Sequence, residues 1–383
     1  MKVAIVHDFL VRFWGAEKLV QTFSEMFPEA PIFTLFYNEK KMWKFFPREK
    51  IRTSSLQKIY NWSFWRYTHL LPWMPSAIEE FDFSEFDLVL SSSAAFSHWI
   101  ITNPETKHVC YVHAPMRWAW DYFFKYPKEK NFSPLKKFFF ERTTSKIREW
   151  DFISASRPDV LLAASKDVQK RIKKFWRRDS KVVYPFVELE KFKEKGERKK
   201  VKGKLEKTKN PLPFTLYSSY YLVVSQLVPY KKIDQIIKAF NLFSSLSNKW
   251  EKLVIVWEWQ EREKLEKMAN SNIEFVWPKY WEELVSFYQN AKAFVFAWID
   301  DFWITPIEAL ACWVPVIALE EGWVKETVVE WKTWFFYQGQ SSDSILNCLK
   351  KSDLSKIKSE NCRARTVEFS KEKFVKEVRQ LCY

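Results

Sequence analysis

Two acidic side chains, Asp300 and Glu308, stand eight residues apart and have the chemistry to hold a polyol. The apolar run Ala293–Ala297 before them has the length and composition of a buried strand. Thr305 and Pro306 are typical of a helix start, with Thr305 as the N-cap and Glu308 in a capping box. Both carboxylates are then expected at the carboxyl end of a parallel strand, where they can accept hydrogen bonds from sugar hydroxyls. The alternative interpretation is one helix cap and one solvated acid, since such caps are common.

Tryptophan is the unusual residue of the same segment. Trp313 stands between the predicted helix and the predicted strand Val314–Leu319, where a tight turn usually needs a left-handed residue, normally Gly. The chain has 21 Trp but only 5 Gly among 383 residues, whereas ordinary usage of about 7% would give roughly 27 Gly. The two counts together come to 26. We therefore hypothesise that many Trp stand at glycine positions, as would happen if a UGA codon read as Gly in the source had been translated as Trp.

Two further turns have the form of anion sites. Trp14-Gly15 precedes one predicted helix and Gly322-Trp323 precedes another, so each can present backbone amides to a phosphate if the two Trp are glycines. Lys231 follows a predicted strand and can place an ammonium on the same phosphates. For a lone Lys, a solvated surface position is the more common alternative.

Established nucleotide motifs do not fit. If each Trp is replaced by Gly, Trp257-Glu258-Trp259 with Arg262 reads Gly-x-Gly-x-x-Arg. This is a dinucleotide-binding fingerprint without its third glycine, which argues against a nicotinamide enzyme. Trp331-Lys332-Thr333 would read Gly-Lys-Thr, but Glu326 stands where a phosphate loop needs its first glycine. The sequence therefore predicts glycine-rich strand-to-helix turns rather than either motif.

The elements that must position these residues alternate between strands and helices along the whole chain. Such alternation predicts two parallel α/β sheets with helices on both faces. A chain of this length exceeds one hydrophobic core, so two domains are expected. The predicted elements are strands over 2–7, 32–36, 87–91, 108–113, 160–164, 221–227, 253–256, 273–276, 293–297 and 314–319, and helices over 15–27, 166–175, 233–246, 261–269, 282–291 and 370–383.

Composition limits the cellular location and the kinds of partner that we expect for this protein. The formal charge is +15, but the lysines are spread along the chain, and the densest run, 191–209, is typical of a solvated linker. Five cysteines show no Cys-x-x-Cys spacing, so neither a zinc site nor a disulfide framework is indicated. No apolar run reaches the roughly 18 residues of a membrane span and the N-terminus lacks a signal-peptide core. We expect a cytoplasmic protein.

A basic and aromatic segment, Lys136–Phe140, suggests contact with an anionic membrane. The alternative, a partly buried amphipathic helix, is about twice as common for such a stripe.

Several motifs in chain order carry a family resemblance. They are His7-Asp8-Phe9 with Trp14-Gly15-Ala16-Glu17, the segment Tyr111–Asp121, Ser225-Gln226-Leu227 with Lys231, Trp257-Glu258-Trp259, the block Asp300–Glu308, and Glu320–Trp323. Together they resemble glycosyltransferase family 4, and the N-terminal motifs resemble its mannosyltransferase-like branch related to O-antigen enzymes. The resemblance spans nearly the whole chain except 195–210.

The resemblance implies a GT-B fold, two Rossmann-like domains facing a cleft. The first domain, residues 1–185 with the closing helix 370–383, would take the acceptor, and the second, residues 186–369, would take a nucleotide sugar. Lys231 would bind the donor diphosphate, Glu308 the ribose and Asp300 the transferred hexose, while His113 would lie beside that sugar. The other expected donor-binding residues are Trp14, Gly15, Gln226, Lys232, Trp257, Trp303, Ile304, Gly322 and Trp323.

Such enzymes retain the anomeric configuration and use no metal or other cofactor. The function implied is transfer of a hexose, with mannose from GDP-mannose as the expected case, to a glycan or lipid-linked acceptor in surface polysaccharide synthesis at the inner face of the cell membrane. Two alternatives remain, a sugar-nucleotide epimerase of the same fold and a basic nucleic-acid-binding protein. The second is disfavoured because the aromatics are not grouped on one face.

The sequence departs from the family pattern at four positions. Gln226 stands where an Arg is usual, and Asp300 replaces the usual Glu and shortens its reach by one methylene. Trp303 and Trp323 stand where the family has glycine, and their indoles would fill space that the donor needs. We therefore predict that the chain as written is inactive and that a glycine version transfers sugar.

Overall fold

The computed structural model describes residues 1–62, 67–192, 220–246, 251–256, 261–277, 281–299, 304–327 and 332–383. These residues form two compact units, Met1–Pro185 with Phe374–Tyr383, and Phe186–Lys373. Each unit is built on a parallel sheet with intervening helices, so the predicted α/β class is confirmed.

The first unit contains a seven-stranded sheet in the order β3-β2-β1-β4-β5-β6-β7 with every strand pair parallel. Because sheet order reverses between β1 and β4, that pair forms the topological switch point, the place where ligands bind in open α/β sheets. The strands are β1 Val3–Leu10, β2 Ile32–Tyr37, β3 Ile51–Thr53, β4 Leu88–Ser93, β5 Lys107–Val112, β6 Val160–Ala163 and β7 Lys181–Val182.

Helices cover this sheet, and the central strands are buried, as expected where both faces of a parallel sheet are covered. The described helices of the first unit are α1 Gly15–Met26, α2 Glu39–Met42, α3 Leu56–Trp62, α4 Met74–Glu79, α5 Tyr126–Glu129, α6 Pro134–Ser154 and α7 Lys166–Phe175. Short 3-10 turns lie at Arg48–Lys50, Tyr67–Trp73 and Ser97–Trp99.

The second unit contains a six-stranded parallel sheet in the order β10-β9-β8-β11-β12-β13, with its switch point between β8 and β11. Its strands are β8 Tyr220–Val224, β9 Leu253–Val256, β10 Ile273–Val276, β11 Ala291–Phe296, β12 Val316–Leu319 and β13 Trp334–Tyr337. Its described helices are α8 Ile233–Leu246, α9 Arg262–Glu266, α10 Trp281–Asn290, α11 Thr305–Ala311, α12 Val324–Thr327, α13 Ser342–Lys351 and α14 Ser359–Thr366, and 3-10 turns lie at Leu189–Lys191, Pro229–Lys231, Leu354–Lys356 and Val367–Phe369.

The closing helix α15, Lys371–Cys382, packs on the first unit through an aromatic contact. Phe374 is buried, stacks on Phe23 of α1 and meets Tyr111 of β5 edge to face.

Helix α6 carries the basic and aromatic segment, and the aromatic side chains of that segment lie in two different environments. Phe140 packs against Phe123 and Tyr126, whereas Phe138 and Phe139 are exposed. Helix α6 is therefore partly buried, but Phe138 and Phe139 lie on its exposed side. None of the described helices combines the length and apolar character needed to cross a bilayer.

Candidate functional site

Lys231 lies at the switch point of the second sheet, in the short 3-10 turn Pro229–Lys231 that follows β8. Its side chain is fully buried, and Nζ lies 4.8 Å from the ring centroid of Trp298 and 4.8 Å from that of Tyr230. Both contacts are of the cation–π kind. Trp298 follows β11, so the meeting of these side chains is a direct result of β8 and β11 lying side by side. A buried ammonium is thus held where a ligand is expected.

Glu308 lies in the first turn of α11, which places its carboxylate at the positive end of the helix. The side chain is buried, and Oε2 accepts a 2.8 Å hydrogen bond from the Tyr288 hydroxyl. Burial, together with the Glu308 carboxylate, raises the pKa of Tyr288 well above its usual value, so the phenol stays a neutral donor. Tyr288 therefore fixes one carboxylate oxygen of Glu308 in place.

The predicted start of this helix is one residue off. Ile304 is the N-cap with φ −73° and ψ −30°, and Thr305 is the first helical residue rather than the cap. Among the residues that the structure describes, no hydrogen-bond partner reaches the buried Thr305 Oγ1. The expected capping box is wrong because Ile304 already has helical dihedral angles, which leaves no extended residue at Thr305 to turn its hydroxyl toward the helix amides.

Buried indoles lie near the carboxyl ends of β11 and β12. Trp298 and Trp323 are both fully buried, and Phe296 lies between them, with ring centroids 4.1 Å from Trp298 and 6.1 Å from Trp323. Trp323 directly follows Gly322, whose φ is +74°. The carboxyl ends of β11 and β12 are therefore filled by aromatic rings at the place where the sequence predicts a phosphate site.

Trp313 has the backbone conformation expected of a glycine. Its φ is +62°, in the left-handed region, at the end of the turn after α11. A left-handed conformation costs a residue with a Cβ about 1–2 kcal/mol. The sequence prediction that this turn needs a left-handed residue is confirmed.

The remaining predicted donor residues are distributed as follows. Gln226 is half-buried in the loop after β8, and its carbonyl accepts hydrogen bonds from Val228 N and from the hydroxyl of Ser225. Lys232 is in the left-handed region with φ +53°, and Ile304 caps α11. Asp300, Trp303 and Trp257 lie outside the described residues, as does most of the basic run 191–209.

In the first unit, His113 directly follows β5 and lies beside the switch point. Its Nε2 is 2.9 Å from Ser92 Oγ of β4. Burial, with a smaller contribution from the nearby His7, lowers the pKa of His113 to about 4, so the ring is neutral at pH 7. A neutral imidazole at this position can donate a hydrogen bond through one nitrogen and accept through the other.

The predicted turn Trp14-Gly15 opens α1, and the buried side chain of Glu17 holds it. Glu17 Oε2 accepts a 2.8 Å hydrogen bond from Trp14 N, and Glu17 Oε1 lies 3.7 Å from His7 Nε2. Burial alone would lower the pKa of His7, but Glu17, aided by Asp8 and the Ser92 carbonyl, raises it above the ordinary value. Burial alone would raise the pKa of Glu17, but His7 and the Trp14 amide lower it.

Sequence reasoning missed the roles of His7 and Glu17. Both residues belong to the motif that carried the resemblance, and Glu17 stands three residues after Trp14, the spacing of a helix cap and its reciprocal acid. That spacing was the available signal for Glu17. The contact of His7 with Glu17 depends on the packing of α1 over β1. Local sequence patterns do not predict such packing.

Comparisons with known proteins agree with this arrangement. Residues 206–368 match the family model described as Glycosyl transferases group 1. An uncharacterized glycosyltransferase of Methanocaldococcus jannaschii is 23% identical over 380 residues, which cover 94% of this chain and 89% of that protein.

Solved structures share the fold along the full chain. HepE of Anabaena, solved in complex with UDP and glucose, has a TM-score of 0.68 at 13% identity and covers 100% of this chain and 99% of its own. Sucrose-phosphate synthase from Thermosynechococcus elongatus has a TM-score of 0.70 at 13% identity, covering 100% and 98%. WaaG, a glycosyltransferase involved in lipopolysaccharide biosynthesis, has a TM-score of 0.64 at 13% identity, covering 99% of both chains. At these identities the likeness shows the GT-B fold. Residues 206–368 are thus similar to the Glycosyl transferases group 1 family, and the chain shares the GT-B fold of these glycosyltransferases.

Proposed function

We propose that this protein is a retaining, metal-independent hexosyltransferase of family 4 that moves mannose from GDP-mannose to a glycan or lipid-linked acceptor in surface polysaccharide synthesis. The observation that carries the proposal is the buried ammonium of Lys231 at the switch point of the second sheet. Helix α11, which follows β11 along the chain, places the buried Glu308 in its first turn. Cationic and acidic groups so placed suit a diphosphate and a ribose. HepE of Anabaena, which shares the fold, was solved in complex with UDP-glucose, and this supports a nucleotide sugar as the donor.

Each residue has a separate role in the proposed transfer. Lys231, with Lys232 beside it, binds the donor diphosphate, and Glu308 accepts hydrogen bonds from the ribose hydroxyls through the carboxylate that Tyr288 orients. Asp300 contacts the transferred hexose. His113 contacts the same sugar.

The reaction needs no side-chain base. An acceptor hydroxyl attacks the anomeric carbon from the side of the leaving group, the bond from that carbon to the phosphate oxygen breaks, and its electron pair stays on the diphosphate. The departing phosphate oxygen takes the acceptor proton, so the new glycosidic bond keeps the configuration of the donor. Lys231 and backbone amides stabilise the charge on the diphosphate, an electrostatic contribution of the kind that usually dominates catalysis.

The proposal includes the identity of the tryptophans. We propose that Trp298, Trp303, Trp313 and Trp323 stand where the working enzyme has glycine. The left-handed φ of Trp313 supports this, and so does the ring of Trp298 over Lys231 Nζ, which covers the ammonium that the diphosphate would need. With glycine at position 298 the ammonium would face the space that the indole fills.

Contact with an anionic membrane would bring the enzyme to a lipid-linked acceptor. Leu135, Phe138 and Phe139 are exposed on α6, next to Lys136, Lys137 and Arg142. Apolar rings flanked by cations suit the interface of a bilayer that carries anionic lipid. We propose that this face of α6 docks on the inner side of the cell membrane.

A donor screen tests the proposal. The written chain is compared with a glycine variant that carries Trp298→Gly, Trp303→Gly, Trp313→Gly and Trp323→Gly, by thermal shift with GDP-mannose and UDP-glucose and by transfer of labelled sugar to a lipid-linked acceptor. We expect GDP-mannose to stabilise the glycine variant most and only that variant to transfer sugar. A matched Lys231→Ala change in the glycine variant is expected to abolish the thermal shift. Equal turnover by the written chain and the glycine variant would contradict the glycine proposal, and conversion of the donor without acceptor would instead indicate an epimerase.

A further inference from the structure

Four residues at the switch point of the first sheet form a series of polar contacts, Glu17–His7–Ser92–His113, in which Ser92 meets His7 with its carbonyl and His113 with its hydroxyl. His7 and Ser92 are register partners on β1 and β4, and His113 follows β5, the next strand of the sheet. Only His113 has a role in the transfer described above. The other three are therefore buried polar groups whose use must be explained.

The structure places a possible acceptor beside each ring nitrogen of His7. Nδ1 lies 2.9 Å from the carbonyl oxygen of Ser92, which can only accept. Nε2 faces Glu17 Oε1 at 3.7 Å, and the same carboxylate is anchored through its other oxygen by Trp14 N. Because both nitrogens face acceptors and one of these belongs to a carboxylate, the surroundings of His7 favour the imidazolium cation.

Ser92 links this cation to His113. Its carbonyl is the acceptor for His7, and the one partner that the described residues offer to its hydroxyl is His113 Nε2, at 2.9 Å. The Ser92 hydroxyl can use its proton within the described residues only by donating it to His113 Nε2. In that arrangement Nε2 accepts, and the proton of the neutral ring resides on Nδ1.

We propose that Glu17 and His7 are positioning residues for His113: the buried ion pair, acting through Ser92, holds His113 as the neutral Nδ1–H tautomer, which offers an N–H donor to a hydroxyl of the transferred hexose. The contact with sugar rests on the proposed function, whereas the protonation pattern does not. Because Glu17 also binds Trp14 N, the same carboxylate fixes the turn expected beside the donor phosphates.

The charges around the two rings agree with this assignment. His113 is faced by His7 and Asp8 from β1, by Glu17 from α1 and by Tyr111 on its own strand. Burial and then His7 lower the pKa of His113, against the weaker opposite influence of Asp8 and Glu17. The His7 cation thus disfavours a second positive charge on His113, which keeps His113 a hydrogen-bond donor rather than an acid.

Nitrogen-15 NMR of histidine-labelled protein at pH 7 tests the protonation pattern without any assay of transfer. In the written chain we expect both nitrogens of His7 to be protonated and His113 to be neutral with its proton on Nδ1. Glu17→Gln is expected to lower the pKa of His7 by more than one unit, and Ser92→Ala to change the tautomer of His113 while His7 stays charged. A neutral His7, or a His113 protonated on Nε2, in the written chain would overturn the proposal.

Ser91→Ala is the matched control. Ser91 is the neighbour of Ser92 on β4, and its Oγ makes the same kind of bond, 2.8 Å to His108 Nε2. The change should alter the resonances of His108 and leave those of His7 and His113 as they are.

Transfer by the glycine variant separates positioning from helix capping. A Gln at position 17 can still accept the hydrogen bond of Trp14 N but cannot pair with the His7 cation, so a purely structural role predicts that Glu17→Gln is harmless. We expect this change to lower kcat about tenfold with little effect on the KM for the nucleotide sugar, and Glu17→Asp to retain most of kcat. Unchanged kcat in Glu17→Gln would contradict the positioning role. Absence of transfer from every variant, with the NMR pattern intact, would contradict the proposed function instead.

Discussion

In the first unit, three tryptophans surround one buried acid. Asp151 of α6 is fully buried and accepts indole N–H bonds from Trp120 and Trp176 at 2.7 Å and from Trp99 at 3.3 Å. His98 Nε2 lies 3.2 Å from the same carboxylate. Each of these indole nitrogens is used as a donor, which is what a buried Trp normally requires.

In the second unit, tryptophans stand at turns and strand ends. Trp313 has a left-handed backbone, and Trp334 is fully buried at the start of β13 with an indole nitrogen that finds no hydrogen-bond partner among the described residues. An unmet buried donor costs about 1–3 kcal/mol. Trp298 instead covers the ammonium of Lys231.

The difference separates two kinds of tryptophan in one sequence. The indoles around Asp151 donate hydrogen bonds to its carboxylate. Glycine at these positions would leave the buried carboxylate without these donors. Trp313 occupies a backbone conformation that glycine adopts without cost. The glycine hypothesis therefore applies position by position, to the second group and not to the first.

The largest expected effect is at the Asp151 cluster. Trp176→Gly removes a buried indole and one of the donors to Asp151, and should lower the free energy of unfolding by about 3–5 kcal/mol. Trp176→Phe keeps most of the ring volume and should lose only about 1–3 kcal/mol, for the missing donor. Urea denaturation measures both. A Trp176→Gly variant as stable as the written chain would remove the distinction between the two groups.

A second effect comes from acid. Burial, together with His98, lowers the pKa of His108 to about 3. Between pH 6.5 and 3, His108 is therefore protonated in the unfolded chain but neutral in the folded chain. The free energy of unfolding should therefore fall as the pH drops from 6.5 toward 3, and this histidine should account for about 2 kcal/mol of the loss between pH 6.5 and 5. Denaturation curves at both pH values measure this loss. The free energy of unfolding should change less with pH in His108→Gln than in the written chain.

An equal slope for the written chain and His108→Gln would show that His108 is not held neutral by the interior of the first unit.

The smallest expected effect is at the left-handed turn. Trp313→Gly and Trp313→Ala both remove the ring that lies 4.9 Å from the Arg363 guanidinium, but only Ala keeps a Cβ at positive φ. Glycine should therefore be more stable than alanine at this position by about 1 kcal/mol. Thermal denaturation of the pair measures the difference. Equal stability would remove the backbone argument for glycine.

Much of the fold was predictable because its signals are local. The predicted helix 166–175 agrees with α7, and the turn at Trp313 was recognised from the residues around it. The Asp151 cluster could not be predicted, since it unites side chains from Trp99 to Trp176 through packing of α6 and α7. The pairing of His7 with Ser92 likewise depends on the register of two strands 85 residues apart.

Peptide sequencing of the protein isolated from its source tests the central claim most directly. The account predicts glycine at positions 298, 303, 313 and 323, and tryptophan at positions 99, 120 and 176. Tryptophan at positions 313 and 323 of the native protein would contradict it.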